Sequence, residues 1–402
     1  MFIKVLLACL LAGSGFIVRE EETAAEDPVP VDAGSMVLME VSSGTVLVEK
    51  NAEGHYDPAG LTKMMGAWLA AEELAPEQYV VMSDAAFRTY DHSGGVLWID
   101  TGEALQAEAL IYASVLQSAN DTTAMLAEAV SGDNDAFLAR MNSEAQSLGM
   151  ANTHYQNIFG LNNETHYSSA GDIAVLLRQA LSNRLFREVF LAERYSIPAT
   201  AKQSSTRPVV SDCASFDYSG EVGCEVGMSS YNGWSGAVYA ERDDTAFIAV
   251  LMGEETRDQL YADFRKVLDH GFSHYRTVTI HHEEIEPKTV EVKRAGLSTA
   301  EVTLRCDQDF SVLLNADGEA DLTAKIIVEN ASSGNPEDVR GSVVFTLNGE
   351  QVAEVPAVRE VSYPEGAYSS GIRQYFDYFS ILVLGGLILK HFLKYLSADH
   401  GA

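Results

Sequence analysis

The sequence has few cysteines and few basic residues, and each shortage argues against a class of protein. Its four cysteines are too few and too scattered over 402 residues for a disulfide framework or a zinc site. Cys213 and Cys224 could pair outside the cytoplasm, and the sequence leaves that bond undecided. Lys and Arg number 27 against 58 Asp and Glu, a net charge of −31 that argues against nucleic acid or an anionic membrane surface as the main partner.

Long apolar runs are also scarce, although both ends of the chain have membrane-directed patterns. Residues 1–18 carry one lysine and a short apolar run, which predicts a secretory signal peptide or an uncleaved N-terminal anchor. Residues 19–32 are acidic and contain two prolines, so we expect a flexible linker there. The apolar run Tyr378–Leu389 falls short of the ~20 residues of a membrane span, but its flanks extend it. We therefore expect a C-terminal membrane helix over 372–396, spanning or lying in the interface, and an extracytoplasmic chain.

The segment 33–276 is predicted to be a mixed domain with strands at its two ends. Met36–Val41 and Thr45–Glu49 read as one β-hairpin, and Ala237–Glu241 with Ala246–Met252 read as a second. Helix-forming segments fill the residues between these hairpins. An antiparallel sheet built from the first and last strands and covered by helices is therefore the expected α/β (α+β) fold.

From residue 277 to 366 the pattern changes to short strands alone. The clearest is a hairpin of Val343–Leu347 and Gln351–Val355 joined by Asn348-Gly349, the dipeptide that favours a two-residue turn. This segment is predicted to be a small all-β sandwich domain.

The stretch at 58–65 reads as a helix entered from a proline turn. Lys63 follows Gly60 by three residues, so both lie on one face of the helix. A lysine buried there would have a lowered pKa and could take a proton from a neighbouring hydroxyl. Glycine stands where that hydroxyl would be. By themselves, these two residues are also compatible with a glycine at a helix end and an ordinary lysine.

A second polar pair, Ser118-x-Asn120, lies at a break in the helical run 104–130. Together with Lys63 it matches the order of two of the three motifs of penicillin-interacting acyl-transfer enzymes, Ser-x-x-Lys and Ser-x-Asn, which precede Lys-Thr-Gly. The sequence Pro-Ala-Gly-Leu-Thr-Lys-Met-Met at 58–65 resembles the Pro-Ala-Ser-Leu-Thr-Lys-Met-Met signature of serine D-alanyl-D-alanine carboxypeptidases. These are small penicillin-binding proteins that trim peptidoglycan stem peptides. Leu-Gln-Ser-Ala-Asn-Asp at 116–121 is similar to their Leu-Gln-Ser-Gly-Asn-Asp.

The resemblance covers nearly the whole chain and implies a role for each matching residue. Gly60 occupies the position of the acylated serine, and Lys63 that of the base that activates it. Ser118 would relay a proton, while Asn120 would hold Lys63 and the substrate amide. The family's penicillin-binding-type domain, β-domain and C-terminal membrane helix are expected in that order.

The third motif is expected after Cys224, where a lysine would bind the terminal carboxylate of the substrate. We place it at 228–230 or at 229–231, so that Ser229 and Ser230 are the candidate substrate-binding residues. Neither placement supplies the cation or the glycine. With the serine also missing at Gly60, the resemblance indicates a degenerate homologue that acts by binding peptidoglycan stem peptide or a cell-wall protein partner.

Two other functions remain open at this point. The first is an active D-alanyl-D-alanine carboxypeptidase with an unconventional nucleophile, such as Ser118 working with Lys63. The second is a membrane-anchored scaffold that works through its β-domain and acidic surface. No cofactor is expected. No metal site is expected either, because the adjacent residues of His-His-Glu-Glu at 281–284 would point to opposite faces of a strand.

Overall fold

A computed structural model describes residues 29–92, 94–293, 299–318 and 320–363. The predicted N-terminal segment 1–18 and the predicted membrane helix 372–396 lie outside these ranges. No helix in the described part of the chain is long and apolar enough to cross a membrane.

The chain forms two compact units. Of the described residues, the first unit comprises those from 29 to 278 together with 312–318, and the second comprises those from 279 to 311 and from 320 to 363. The elements of the first unit, in chain order, are β1 Ser35–Glu40, β2 Val46–Lys50, α1 Thr62–Glu73, β3 Tyr79–Val81, α2 Asp84–Thr89, β4 Ala104–Gln106, α3 Ala107–Leu116, α4 Asn120–Ser131, α5 Asn134–Ser147, α6 Ala170–Ala180, α7 Arg184–Phe190, β5 Arg194–Ile197, β6 Arg207–Val210, β7 Glu221–Ser229, β8 Gly233–Arg242, β9 Thr245–Glu254, α8 Arg257–His274 and β10 Tyr275–Ile280.

The centre of the first unit is a five-stranded antiparallel sheet in the order β2-β1-β9-β8-β7. The prediction that the first and last strands pair in one sheet is therefore confirmed. Alternate residues of β1 face opposite sides, so Val37 and Met39 join the core under α1, α3, α4 and α6. Met36 and Leu38 face the other way and pack in a second core with α8. Both sides of the sheet are therefore buried under helices.

The end of the segment that was predicted to be a flexible linker is packed against this unit. Val29 and Val31 are buried in the core that contains α8. The backbone nitrogen of Asp32 donates to Asp263 Oδ2 at 2.7 Å. This hydrogen bond connects the residues that precede β1 to α8. The two valines on either side of Pro30 supply apolar surface that is buried on folding. The acidic composition of 19–32 as a whole favoured a flexible linker and gave no sign of this packing.

The second unit consists of two three-stranded antiparallel sheets, in the orders β11-β12-β17 and β14-β15-β16. Gly341 in the second sheet allows the close approach of Leu304 from the first, because a Cβ there would lie 2.5 Å from Leu304 Cδ1. Asn348 and Gly349 have φ values of 51° and 83°, so they form the predicted two-residue turn. The remaining strands of the chain, of which residues 312–315 of β13 belong to the first unit, are β11 Lys288–Lys293, β12 Thr299–Arg305, β13 Phe310–Asn315, β14 Leu322–Glu329, β15 Arg340–Leu347, β16 Glu350–Pro356 and β17 Val358–Ser362.

Candidate functional site

A short 3₁₀ turn, Ala59–Leu61, leads directly into α1 and carries Gly60. Asp57 fixes this turn, since its Oδ1 accepts from the backbone nitrogen of Ala59 at 2.9 Å. A Cβ placed on Gly60 would lie 3.0 Å from Ser118 Oγ, 3.0 Å from the carbonyl oxygen of Val226 and 3.4 Å from Glu225 Oε1. The position of the missing serine side chain is therefore bordered by the Ser118 hydroxyl and a carboxylate.

Lys63 lies in the first turn of α1 and is buried, with 4 % of its surface exposed. Its Nζ donates to the carbonyl oxygen of Phe159 at 2.5 Å. Burial lowers the pKa of Lys63 to about 8, and the nearby carboxylates of Glu225 and Asp212 oppose that shift. The lysine keeps the lowered pKa that a general base needs, but it points at a main-chain carbonyl.

Ser118 lies at the break between α3 and α4 with a left-handed φ of 49°. Its Oγ donates to Glu225 Oε1 at 3.2 Å. Burial raises the pKa of Glu225 well above its usual range, and the charge of Asp212 adds to that effect. The charge of Lys63 and the Ser118 hydrogen bond act in the opposite direction. Glu225 and Lys63 are thus two buried titratable groups that act on each other's pKa, and the Glu225 carboxyl borders the empty position at Gly60.

The segment facing Gly60 is Glu225-Val226-Gly227 on β7, and this corrects the placement of the third motif at Ser229 and Ser230. A Cβ on Gly227 would lie 2.4 Å from the backbone nitrogen of Gly60, so only glycine allows this approach. Relative to Lys-Thr-Gly, the glycine is retained, the hydroxyl is replaced by valine and the cation by a carboxylate. The predicted placement had the opposite pattern, with a hydroxyl kept and the glycine lost.

Ser229 and Ser230 lie beyond that segment and have other partners. Ser229 is buried, and its Oγ donates to Asp57 Oδ2 at 3.0 Å, where it supports the turn that carries Gly60. Ser230 Oγ lies 2.5 Å from the side-chain amide of Asn162. Neither serine supplies any of the three atoms nearest to a Cβ placed on Gly60.

Asn120 begins α4 and is almost fully buried, at 1 % exposure. Its Nδ2 donates to the carbonyl oxygen of Asp91 at 3.0 Å. Among the residues that the structure describes, its Oδ1 has no hydrogen-bond partner. The expected hydrogen bond from Lys63 to Asn120 is not formed among the described residues, where Lys63 donates to the carbonyl oxygen of Phe159.

The loop that carries the Phe159 carbonyl was not predicted to take part in the site. Gly160 has a φ of 74°, and a Cβ there would lie 1.9 Å from the carbonyl oxygen of Ala59, so the two turns touch through their backbones. Behind them, His166 Nδ1 accepts from the backbone of Gln156 at 3.0 Å, which leaves Nε2 to donate to Thr62 Oγ1 at 2.8 Å. Burial lowers the pKa of His166 to about 4, so it is neutral at pH 7.

The two hydroxyl groups beside Gly60 and Lys63 in the site both have side-chain partners. The hydroxyl of Thr62 is paired with His166, and that of Ser118 is paired with Glu225. Within the described ranges no group of three His, Cys, Asp or Glu residues could hold a metal ion. In the pair that invited a metal interpretation, both His281 and His282 contact Asp309.

The structure has a lysine on the first turn of a helix, beside a Ser-x-Asn loop and next to an antiparallel sheet. This combination defines the class of penicillin-interacting acyl-transfer proteins. The chain belongs to the D-alanyl-D-alanine carboxypeptidase family, whose sequence model matches residues 21–256. This confirms the resemblance seen in the motifs.

Individual relatives match over nearly their full length. The chain is 28% identical to the D-alanyl-D-alanine carboxypeptidase DacC of Escherichia coli K12 over 383 residues, 90% of this chain and 93% of the relative. It is 26% identical to DacF of Bacillus subtilis 168 over 390 residues, 92% of this chain and 97% of the relative.

Two solved structures are similar to the fold. Penicillin binding protein 6B from Escherichia coli aligns with a TM-score of 0.63 and 22% identity, over 84% of this chain and 98% of that one. Penicillin binding protein 5 from Haemophilus influenzae gives 0.61 and 22%, over 84% and 100%. The predicted penicillin-binding-protein fold, with antiparallel sheets and helices, is confirmed.

Proposed function

We propose that this chain is a non-catalytic member of the carboxypeptidase family that acts by binding a peptidoglycan stem peptide or a cell-wall protein partner. The observation that carries the proposal is the site around Gly60. No nucleophile stands there, and the adjoining space is bordered by the paired side chains of Ser118 and Glu225. In a serine hydrolase, loss of the nucleophile alone costs about 10⁶-fold in turnover.

The second support is the charge at the start of the third motif. A substrate that ends in a free carboxylate needs a cation there, and Glu225 presents a carboxyl group. Val226 also removes the hydroxyl of that motif. Three changes, at Gly60, Glu225 and Val226, therefore argue in the same direction.

An active enzyme with Ser118 as a substitute nucleophile is the competing proposal. Activation would require Lys63 to take the proton of Ser118. The Ser118 hydroxyl donates to Glu225, and Lys63 Nζ donates to Phe159, so the two groups are engaged separately. The geometry favours the non-catalytic function.

An extracytoplasmic location forms part of the proposal. Cys213 and Cys224, which the sequence left undecided, form a disulfide with a Cα–Cα distance of 5.8 Å. Such bonds persist in oxidising compartments and are rare in the cytosol. The apolar N-terminal residues and the apolar C-terminal run are consistent with secretion and membrane anchoring.

The test has two arms that use the full chain. In the first, release of D-alanine from a pentapeptide ending in D-alanyl-D-alanine is measured, and none above the protein-free rate is expected. In the second, the chain is incubated with purified peptidoglycan and sedimented, and retention is expected. Turnover in the first arm would contradict the loss of catalysis, while absence from the pellet would move the proposal toward a protein partner.

A further inference from the structure

A cavity of about 330 Å³ opens in the first unit, between the β3–β4 pair and the loop that follows β5. Ala109, on the first turn of α3, forms part of its wall. Ser118 follows the opposite end of that helix, about 10 Å away by the rise of about 1.5 Å per residue. The volume lies at the low end of the range of about 300–1,000 Å³ that small-molecule sites occupy. The cavity is therefore a candidate ligand site separate from the one at Gly60.

Most of the cavity wall is apolar. Leu105, Ala109 and Ile197 line it and are almost fully buried. Tyr79 also lines it, and 66 % of its surface is exposed. An apolar group packed against that ring would remove apolar surface from water on both sides of the contact. The wall therefore fits the apolar body of a small ligand.

The carboxylate that lines the cavity, Glu103, is already satisfied. Its Oε1 accepts from Thr200 Oγ1 at 2.5 Å and from Arg207 Nη2 at 2.6 Å, and its Oε2 accepts from the backbone nitrogen of Asp100 at 3.3 Å. Burial alone would raise the pKa of Glu103, but these hydrogen bonds and the charge of Arg207 lower it below its usual value. Glu103 is therefore ionised at neutral pH and is neutralised within the protein, which leaves little to attract a cationic ligand.

The other charged residue that lines the cavity, Lys202, has a neutral partner. Its Nζ donates to the carbonyl oxygen of Thr101, and among the described residues no carboxylate pairs with it. A Cβ on Gly102 would lie 3.3 Å from that Nζ, so the ammonium rests against the backbone of a lining residue at the exposed edge of the cavity. An ammonium has three N–H groups, so two remain for a ligand.

We propose that this cavity binds a small organic anion, a carboxylate attached to an aromatic or aliphatic body. The body would pack against Tyr79, Ala109 and Ile197, and the carboxylate would pair with the ammonium of Lys202. A cation of the same shape would meet that ammonium and would find Glu103 engaged. This second site is independent of the function proposed for the site at Gly60.

The test titrates the full chain with three probes that share one aromatic body: phenylpropanoate, phenylpropanamide and phenylpropylamine. Binding is followed by NMR of the chain labelled at its alanine and isoleucine methyl groups, which reports affinity and location together. The acid is expected to bind about fivefold more tightly than the amide, the upper end of what an exposed ion pair contributes. The amine is expected to bind more weakly than the amide, and the methyl signals of Ala109 and Ile197 are expected to shift.

Two variants assign the binding to the cavity. Lys202→Gln keeps a hydrogen-bond donor and removes the charge, so it should abolish the preference for the acid without weakening the amide. Lys325→Gln, an exposed position on β14 that does not line the cavity, removes the same charge and should leave the preference unchanged. Ala199→Trp places a large side chain at the exposed edge of the cavity and should weaken the acid and the amide alike, by at least about tenfold. Thermal unfolding of each variant verifies that it is folded.

The contrary results are distinct. Equal affinity of the wild-type chain for the acid and the amide would overturn the proposal, as would a preference that Lys202→Gln leaves unchanged. Binding that shifts other methyl signals while those of Ala109 and Ile197 stay in place would show that the probe occupies a different site, and would overturn it too. Absence of binding of the acid up to its solubility limit has the same meaning. None of these results bears on the site at Gly60, which the D-alanine release and peptidoglycan sedimentation experiments test.

Discussion

Restoring the serine alone is expected to leave the site inactive. In Gly60→Ser the new Cβ would lie 3.0 Å from Ser118 Oγ and 3.4 Å from Glu225 Oε1. The new hydroxyl would therefore donate to a carboxyl group instead of passing its proton to Lys63. A triple variant, Gly60→Ser with Glu225→Lys and Val226→Thr, restores the serine, the cation and the second hydroxyl together.

The difference between the two variants follows from the charge at position 225. Two unit charges about 4 Å apart interact by about 4 kcal/mol at an effective dielectric constant of about 20. Burial raises the pKa of Glu225 well above its usual range, so we count only the attraction that a lysine at position 225 would add to the penicillin carboxylate, about 4 kcal/mol. That change corresponds to about 10³-fold in acylation rate.

The assay is the second-order rate of covalent labelling by a fluorescent penicillin. The triple variant is expected to label at least about 10³-fold faster than Gly60→Ser. A matched control carries Gly60→Ala with the same two changes at 225 and 226, and should not label. Equal rates for the single and the triple variant would refute the assignment of Glu225 to the lysine position of the third motif.

Three further predictions concern stability. Gly160→Ala should destabilise the fold by about 3 kcal/mol, measured by chemical denaturation, because its φ of 74° and the Ala59 carbonyl leave no room for a Cβ. Burial raises the pKa of Glu254 to about 7, above its value in the unfolded chain. The folded state therefore loses stability through this group as the pH rises from about 4.5 to about 7. The melting temperature of Glu254→Gln relative to wild type should therefore be higher at pH ~8 than at pH ~5. Reduction of Cys213–Cys224, which closes a loop of separation 11, should cost about 3 kcal/mol by the loop-entropy relation.

Each of these has a contrary result that is easy to recognise. An unchanged denaturation midpoint for Gly160→Ala would mean that the loop can move away from the turn at Ala59. A pH-independent difference between Glu254→Gln and wild type would show that the carboxyl group is not raised into the neutral range. Identical unfolding with and without reductant would show that the disulfide adds nothing to stability.

Much of the central sheet was predictable from the sequence, because the strands at the two ends of the domain follow simple patterns. The first and last strands are alternating or apolar runs around short turns, and both hairpins were located from them. The prediction that Lys63 lies on the same side as Gly60 follows from helical spacing alone. The structure places Gly60 in the 3₁₀ turn that leads into α1 and Lys63 in the first turn of α1.

The strand β7 was missed for a physical reason. Glu221–Ser229 contains Gly223 and Gly227, which weaken any strand pattern, and both are required by tertiary contacts. Cβ atoms at these positions would meet Phe190 Cδ1 at 2.6 Å and the backbone nitrogen of Gly60 at 2.4 Å. Those close approaches are invisible in one sequence. Without the strand, the register of the third motif shifted by a few residues and Glu225 was overlooked.

The partner of Lys63 was also beyond the reach of the sequence. The acceptor is a main-chain carbonyl at Phe159, 96 residues away along the chain. Every residue has a carbonyl group, so side-chain identity carries no signal for this contact.

One feature of the sequence could have indicated the correct register of the third motif. Gly223 and Gly227 lie four residues apart in β7, with Glu225 midway between them.

The most direct test of the account is the intact mass of the wild-type chain after incubation with excess benzylpenicillin. Because Gly60 has no hydroxyl and the Ser118 hydroxyl is held by Glu225, the mass is expected to remain that of the free protein. A stable increase equal to one penicilloyl group, located on Ser118 by peptide mapping, would contradict the proposal that this site has lost acyl transfer.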